Sequence, residues 1–248
     1  MTCDVLQIER NQRTGDQGAC WRTPIPGRAS PCDGHVKNFD VTARNRVNRY
    51  PKRGAYDAET IHPILDEALI CHVSFALDGQ PFIIPTIHAR QGDRVLMHGL
   101  KGGRTLDHIE AGNAVALAVS IVDGLVCART AFNHSMNYRS AVIFGTGRVL
   151  EEPHEKLEAL RCLTERVHIR SPSEKELKAT SIVAIGIDEA SAKIRQGPPG
   201  DDGADLELPV WAGVLPLPIV PQAAETDPKQ TAGYPVPDYM ARYRRSRQ

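Results

Sequence analysis

Seven apolar segments of strand length lie between residues 68 and 187, and they constrain the fold of this chain more than any other feature. The segments are ALICHVSFAL, QPFIIPTIHA, RVLMH, AVALAVSIV, LVCARTAF, SAVIFGTGRVL and SIVAIGI. The turn sequences DGQ and QGD, on either side of the second segment, are typical of hairpins. Helical patterns do not alternate regularly with these segments, which argues against a parallel doubly wound sheet. We therefore predict a mainly β (α+β) fold, an antiparallel barrel with two or three flanking helices.

Three prolines set local expectations. Pro63 is tolerated only in the first turn of a helix, which favours Thr60 over Asp57 as the N-cap of a short helix. Pro85, within IIPTI, predicts an edge or bulge position for the second strand. Pro153 begins the one long predicted helix, EPHEKLEALRCLTERVH. The buried stripe of that helix comprises Leu157, Leu160, Leu163 and Val167.

Composition along the chain predicts three parts. Residues 1–48 are rich in Arg, Asn, Asp, Gly and Pro and carry few large apolar side chains, which is typical of a poorly packed leader. Residues 49–218 hold the apolar segments and form the predicted folded domain. Residues 219–248 are polar and proline-rich and end in RYRRSRQ, which predicts a solvated tail.

Charge and cysteine content limit the partners. Lys plus Arg and Asp plus Glu both number 30, so net charge gives no reason to expect nucleic acid or an anionic membrane as a partner. No apolar run has the length of a membrane span, and MTCDVLQIERNQR lacks the apolar region of a secretory signal, so we expect a cytoplasmic protein. The six cysteines lack metal-site spacing; we expect reduced thiols, with Cys71 and Cys127 in the core, and no metal site.

The segment HGLKGGRTLDHIEAGN follows a predicted strand and begins a predicted helix. The first N–H groups of a helix lack intrahelical partners and attract anions. Gly102 and Gly103 would let a ligand approach the backbone, while Lys101 and Arg104 would add full positive charges. The alternative is a simple connection whose basic side chains point into water.

A second polar segment, HSMNYRS, lies between two apolar segments. Its side chains place many hydrogen-bond donors close together, which costs free energy if they are buried without partners. Either they contact a ligand, or the segment is an exposed hairpin connection, for which such residues are ordinary. The residues concerned are His134, Ser135, Asn137, Tyr138, Arg139 and Ser140.

Two longer stretches, GQPFIIPTIHARQGDRVLMHGLKGGRTLDHI and AFNHSMNYRSAVIFGTGRVLEEPHEKLEAL, carry a family resemblance. They resemble the FMN-binding split-barrel proteins related to pyridoxamine 5'-phosphate oxidase, and in particular the flavin-nucleotide-binding, nitroimidazole-reductase-like branch. The similarity covers about residues 49–218. It implies a split β-barrel of the FMN-binding type and a homodimer with the flavin at its interface.

The resemblance also implies roles for individual residues. Pro85 and Thr86 would contact the flavin ring or its ribityl chain, and His98 would lie close to them. Lys101 and Arg104 would bind the FMN phosphate. The remaining implied contacts are Tyr138 and Ser140 to flavin, and His134 and Arg139 to substrate. No segment after VWAGVLPL matches the Arg- and His-bearing end of the true oxidases, so vitamin B6 oxidation is not expected.

The function implied by this resemblance is that of an FMN-dependent oxidoreductase, like a flavin or nitro-compound reductase, acting on a small molecule. NADH or NADPH would supply the electrons, and no catalytic acid is named because hydride transfer depends chiefly on positioning. Two alternatives stay open. The chain could bind flavin as a carrier or sensor without turnover, or it could bind haem, since some split-barrel relatives do and this chain has nine histidines.

Overall fold

The computed structural model describes residues 37–164, 172–241 and 243. All of them belong to one compact unit, His35–Gln248. The strands are β1 (Gly54–Ala55), β2 (Ile70–Leu77), β3 (Gln80–Ile87), β4 (Ala89–Gln91), β5 (Arg94–Leu100), β6 (Val115–Cys127), β7 (Ser135–Gly145), β8 (Gly147–Val149), β9 (Thr180–Gly186), β10 (Glu189–Arg195) and β11 (Gly213–Pro216). The helices are α1 (Ala58–Glu67), α2 (Arg104–Glu110), α3 (Pro153–Leu163), α4 (Glu174–Ala179) and α5 (Asp238–Ala241), and short 3₁₀ helices span Pro51–Arg53, Ala131–Asn133 and Gly203–Glu207.

Two antiparallel sheets form the body of the fold. The large sheet has the order β1-β10-β7-β6-β2-β3, with β11 paired to β6, and the small sheet has the order β4-β5-β9-β8. Their facing sides share one core, in which Val73, Leu117 and Ile143 of the large sheet meet Val95 and Ile185 of the small sheet. The predicted antiparallel α+β fold is confirmed.

Strand alternation gives the large sheet a second side that faces away from the core and is exposed along β2 and β3; we name this side the outer face. On β2 the buried Cys71, Val73 and Phe75 alternate with His72 and Ser74, which point the other way. The same alternation along β2 and β3 leaves three isoleucines of this side exposed by half or more. These are Ile70 (51%) on β2 and Ile83 (65%) and Ile87 (50%) on β3. The outer face is therefore apolar along this edge of the sheet.

Several turn and edge predictions are confirmed. Asp78 (φ 51°) and Gly79 (φ 78°) form a two-residue turn between β2 and β3, and Gly92 (φ 61°) turns β4 into β5. β3 is an edge strand of the large sheet. Pro85, paired with His72, therefore occupies the edge position that its missing N–H requires.

Two strand predictions need correction. AVALAVSIV and LVCARTAF are one strand, β6, with a register irregularity between Val122 and Gly124. At that point β11 approaches so closely that a Cβ on Gly124 would lie 2.8 Å from the Leu215 carbonyl oxygen. β10 was not among the predicted strands because its buried residues include the small Ala190 and Ala192, which give a weak apolar signal.

The helix predictions are partly right. The cap of α1 is Asp57, whose carboxylate accepts a hydrogen bond from the Thr60 N–H at 2.7 Å, so the prediction of Thr60 was wrong. Pro63 lies inside α1, which forgoes one backbone hydrogen bond there. α3 begins at Pro153 as predicted. Its buried side comprises Ala159 with the partly buried Leu160 and Leu163, while Leu157 is half-buried and Val167 lies outside the described residues.

The ends of the domain differ from the expected boundaries. Within the predicted leader, residues 37–48 pack onto the fold: Phe39 is in the main core, and the buried Asn45 donates its Nδ2 hydrogen to the Ala190 carbonyl at 3.2 Å. Residues 1–36 lie outside the described residues. Residues 219–237 contain no helix or strand and are almost all exposed. No helix among the described residues is long and apolar enough to cross a membrane.

The chain changes sheets at a crossing of two glycines. β7 leads into β8 through Gly145, and β9 leads into β10 through Gly186, so both connections pass from one sheet to the other at the same place. A Cβ built on Gly145 would lie 2.0 Å from the Gly186 carbonyl oxygen. The two backbones can approach this closely because the position carries no side chain.

We expect Gly145→Ala to lower the free energy of unfolding by about 2–3 kcal/mol, the cost of overpacking a rigid site. Urea unfolding of the purified chain measures it. Gly200→Ala is the matched control, since a Cβ at Gly200 meets nothing within 4 Å. Equal stability of the two variants would contradict the conclusion that the close approach at Gly145 requires a glycine.

His88 makes stability depend on pH. Its Nε2 lies 3.0 Å from the Leu65 carbonyl oxygen, which only accepts, so Nε2 carries the hydrogen. Its buried Nδ1 has no hydrogen-bond partner in the described part of the chain. Burial therefore lowers the pKa of His88, although the Leu65 carbonyl opposes this shift.

Since the unfolded histidine titrates at about 6.5, the unfolded chain takes up a proton that native His88 resists, and the free energy of unfolding should fall as pH drops through that value. His88→Gln should flatten this slope. Urea titrations above and below the window measure it, with the exposed His154→Gln as control. An unchanged slope in His88→Gln would assign the effect to other groups.

Candidate functional site

The predicted anion-binding turn, residues 101–104, lies between β5 and α2. Gly102 has a φ of 80°, the left-handed conformation that favours glycine. Gly103 is the N-cap of α2, and Arg104 is its first residue. The strand–turn–helix order expected from the sequence is therefore present, although α2 has only 7 residues. We name residues 101–104 the basic turn.

The basic turn contacts the edge of the large sheet through Arg104. Its guanidinium lies 4.5 Å from the ring centroid of Phe82 on β3. Phe82 stacks on Phe75 at 5.4 Å, and Phe75 stacks on the His108 ring of α2 at 4.5 Å. Neither Lys101 nor Arg104 has an ion-pair partner among residues 37–164 and 172–241. In the described part of the chain, Arg104 thus places an unpaired positive charge beside strand β3, and Lys101 lies three residues before it.

The other predicted ring contacts flank this turn on two strands. Pro85 lies on the outer face of β3 and Thr86 on the opposite side, so one flat ligand can contact the side chain of only one of them. The Thr86 hydroxyl donates to the Ile87 carbonyl at 3.4 Å. His98 is exposed near the end of β5, opposite Ile182.

Tyr138 and Ser140 lie elsewhere on the large sheet. Both are on β7, which β6 and β2 separate from β3, a lateral distance of about 14 Å at the usual strand spacing. The Ser140 hydroxyl donates to the Lys193 carbonyl at 3.2 Å. One protomer therefore does not bring these residues together with Pro85, and their contact with the flavin stays a prediction.

A cavity of about 300 Å³ borders Ser140, and the sequence reasoning missed it. Residues 44–48 form one wall, and β7 and β10 form the floor. Its polar lining includes Arg44, Arg46, Ser140, Ser191 and Lys193. We name it the basic pocket. Its residues are far apart in sequence, and residues 44–48 belonged to the predicted leader, so no local motif could reveal it.

Charge in the basic pocket is only partly balanced. Arg44 donates a short hydrogen bond to Glu189, which also accepts from the Thr42 hydroxyl at 2.5 Å. Arg46 and Lys193 have no ion-pair partner in the described part of the chain. The pocket therefore presents an excess of positive charge.

HSMNYRS is mostly strand, so its interpretation as an exposed hairpin was wrong: β7 begins at Ser135. Arg139 donates to both oxygens of Asp123, at 2.9 and 2.7 Å, and to both oxygens of the buried Glu67. These hydrogen bonds raise the pKa of Arg139. His134 is exposed, with its Nδ1 2.8 Å from the Thr130 carbonyl oxygen. The substrate roles of Arg139 and His134 remain predictions.

A family model described as pyridoxamine 5'-phosphate oxidase matches residues 57–194, more than half of the chain. The chain belongs to the pyridoxamine 5'-phosphate oxidase family. Its split β-barrel fold and the family resemblance read from the sequence are thereby confirmed. The matched residues include every predicted site residue, whereas residues 44–48 of the basic pocket precede them.

Two solved structures of this family are similar over most of their length. The flavocytochrome Anf3 from Azotobacter vinelandii is 36% identical with a TM-score of 0.76, and the match covers 82% of this chain and 97% of that one. An FAD and haem binding protein from Mycobacterium smegmatis is 34% identical with a TM-score of 0.71, covering 75% of this chain and 94% of its own. Comparison with curated proteins finds no match.

A further polar cluster, around Arg195, holds the loop that follows β10. The buried Arg195 donates to the Gly197 carbonyl at 2.8 Å, to the Pro198 carbonyl at 3.0 Å, and to the Asn137 side-chain oxygen. Its partners are carbonyl groups, and burial lowers the pKa of its guanidinium. Asn137 thus has a structural role, holding β7 to the end of β10.

The ion pairs of Arg139 predict a measurable contribution to stability. Arg139→Ala should lower the free energy of unfolding by about 3 kcal/mol, because it leaves the carboxylate of Glu67 buried with less compensation. A double-mutant cycle with Glu67→Gln, followed by urea unfolding, measures the coupling. Arg161→Ala, which removes the exposed pair with Glu158, is the control and should change stability little. Additive effects of Arg139→Ala and Glu67→Gln would refute the coupling.

Proposed function

We propose that this protein is a flavin-binding redox protein that also binds haem. The observation that carries the proposal is its similarity to two proteins named for flavin and haem together, at 36% and 34% identity over 97% and 94% of their lengths. Flavin and haem were alternatives in the sequence reasoning. The names of these relatives favour both cofactors in one chain.

The basic turn has the chemistry that a flavin phosphate needs. Lys101 and Arg104 offer charged donors without a competing carboxylate, and Gly102 keeps the turn free of a side chain. FMN and FAD share the phosphate next to the ribityl chain. We propose that these residues bind this phosphate, with FMN as the expected form and FAD as the form named for the Mycobacterium relative.

The flavin, when bound, supplies hydride and single-electron transfer. The chain would contribute positioning. Thr86 would contact the ring through its side chain and Pro85 through its backbone. His98 lies near the end of β5 that leads into the basic turn, and no side chain is required as a proton donor. NADH or NADPH is the proposed electron donor, and a flavin, quinone or nitro compound is the proposed acceptor. Residues 217–237 contain no Arg or His, so nothing there favours binding of a vitamin B6 phosphate.

A homodimer is part of this proposal. Tyr138 and Ser140 lie about 14 Å across the sheet from β3, and a flavin shared between two protomers would meet these residues of one protomer and the basic turn of the other.

Absorption spectroscopy of the purified full chain tests the cofactors. We expect oxidised-flavin bands together with a haem Soret band, after reconstitution if needed, and mass spectrometry of the released chromophores distinguishes FMN from FAD. A protein that binds neither flavin would refute the proposal. Steady-state oxidation of NADH or NADPH with nitro compounds, quinones or free flavin then separates an enzyme from a carrier or sensor, for which turnover is absent.

Substitution of both cations tests the basic turn. Lys101→Ala/Arg104→Ala should weaken flavin binding by about 100-fold, because each lost charge-assisted hydrogen bond contributes about 1.5–3 kcal/mol. Fluorescence titration with FMN and with FAD measures the affinity. The control is Lys52→Ala/Lys229→Ala, which removes equal charge at two exposed positions: Lys52 lies beside β1, the opposite edge of the large sheet from β3, and Lys229 lies in the segment 219–237. Equal flavin affinities of the two double variants would refute the assignment of the basic turn as the phosphate-binding site.

A further inference from the structure

His72 lies on the outer face of β2, the strand next to the edge strand β3, among apolar and small side chains. It pairs with Pro85 on one side and Ala118 on the other, and its neighbour on the same face of β2, Ser74, pairs with Ala116. Three exposed isoleucines, Ile70, Ile83 and Ile87, border this area. Because these residues are small, they leave open space beside the histidine ring, where a flat apolar ligand can lie.

Most other histidines are already engaged. Among the seven in the described part of the chain, four have a polar partner: His62 faces Asp93 at 3.7 Å, and the others contact backbone carbonyls. Those three are His88, His108 and His134.

Three described histidines therefore keep their ring nitrogens free of protein partners. His154 lies in the acidic sequence EEPHE at the start of α3, and His98 lies beside the basic turn. His72 alone of these three stands on an apolar sheet face. An imidazole with a free nitrogen in apolar surroundings is what a haem iron requires of a protein ligand.

The basic pocket lies on the same face. The paired residues His72, Ala118, Val142 and Ser191 form one row across β2, β6, β7 and β10, and Val142 and Ser191 line the pocket. His72 and Val142 are two strands apart, a distance of about 10 Å. Cations therefore border the apolar face on the side opposite the isoleucines.

We propose that the outer face is the haem site of this protein. His72 would donate a nitrogen lone pair to the iron, the exposed isoleucines beside it would contact the macrocycle, and Arg46 and Lys193 would bind the propionates. This inference rests on the proposed function, because it assigns residues to the haem proposed there. Haem combines an apolar disc, a metal that takes imidazole, and two carboxylates, and the outer face offers a counterpart to each of them.

A second copy of the chain is the other candidate for covering this face. Burial of the isoleucines between two copies would need neither the free imidazole nor the unpaired cations. The arrangement of these charged and ligating groups on one face therefore favours haem over protein as its occupant.

Haem titration of the full chain tests the assignment. Wild type and His154→Ala should take up haem with the same Soret and reduced α bands. His72→Ala should change both bands and weaken haem binding by about tenfold or more, the equivalent of 1.4 kcal/mol. The midpoint of urea unfolding should stay that of wild type, which shows that the variant is folded. Wild-type bands in His72→Ala would overturn the assignment and leave the proposed function standing.

A second variant tests the propionate contacts without touching the iron ligand. Arg46→Ala/Lys193→Ala should weaken haem binding by about 100-fold, through the loss of two charge-assisted hydrogen bonds, and should leave both band positions unchanged. Unchanged affinity would overturn the propionate assignment. A wild-type chain that binds flavin and forms dimers but takes up no haem would overturn this inference together with the haem part of the proposed function.

Discussion

The close approach of Gly145 and Gly186 is the constraint on which the rest of the structure depends. At this crossing the chain leaves the large sheet for the small one and later returns, so both sheets are tied together at one point. The inner faces then bury one another to form the core. Because side chains alternate along a strand, this burial leaves the other side of the large sheet facing away from the core. The outer face is the consequence of that arrangement.

Local signals explain which parts of the fold the sequence predicts. The turn at Asp78 and the edge proline Pro85 act through their own backbone conformations, so they can be read without knowledge of the fold. The helix cap at Asp57 could not be predicted in this way. Asp57 and Thr60 both have side chains suited to an N-cap, and only the hydrogen bond from the Thr60 N–H to Asp57 identifies Asp57 as the cap. Strand β10 was not predicted because its buried positions hold small side chains, which close packing there requires. Such residues do not give the large apolar signal on which strand prediction depends.

The candidate sites also differ in whether the local sequence reveals them. The basic turn is contiguous in sequence, so its charges and glycines are enough by themselves to indicate an anion. The basic pocket joins Arg46 to Lys193 across most of the chain, and only the folded structure brings them together. Arg139 shows the converse: its place in a polar segment suggested a ligand contact, while the fold supplies two carboxylates, Glu67 and Asp123, as its partners.

The prolines of strand β3 determine how copies of this chain can associate. Pro81 and Pro85 stand at equivalent alternate positions of the edge strand, where neither can donate a hydrogen bond to an added strand. Edge-to-edge growth into a continuous intermolecular sheet, the route to fibrous aggregates, lacks donors at these positions. The exposed apolar area beside these prolines can therefore bind a ligand or partner, because the edge strand next to it does not readily pair with strands from other copies of the chain.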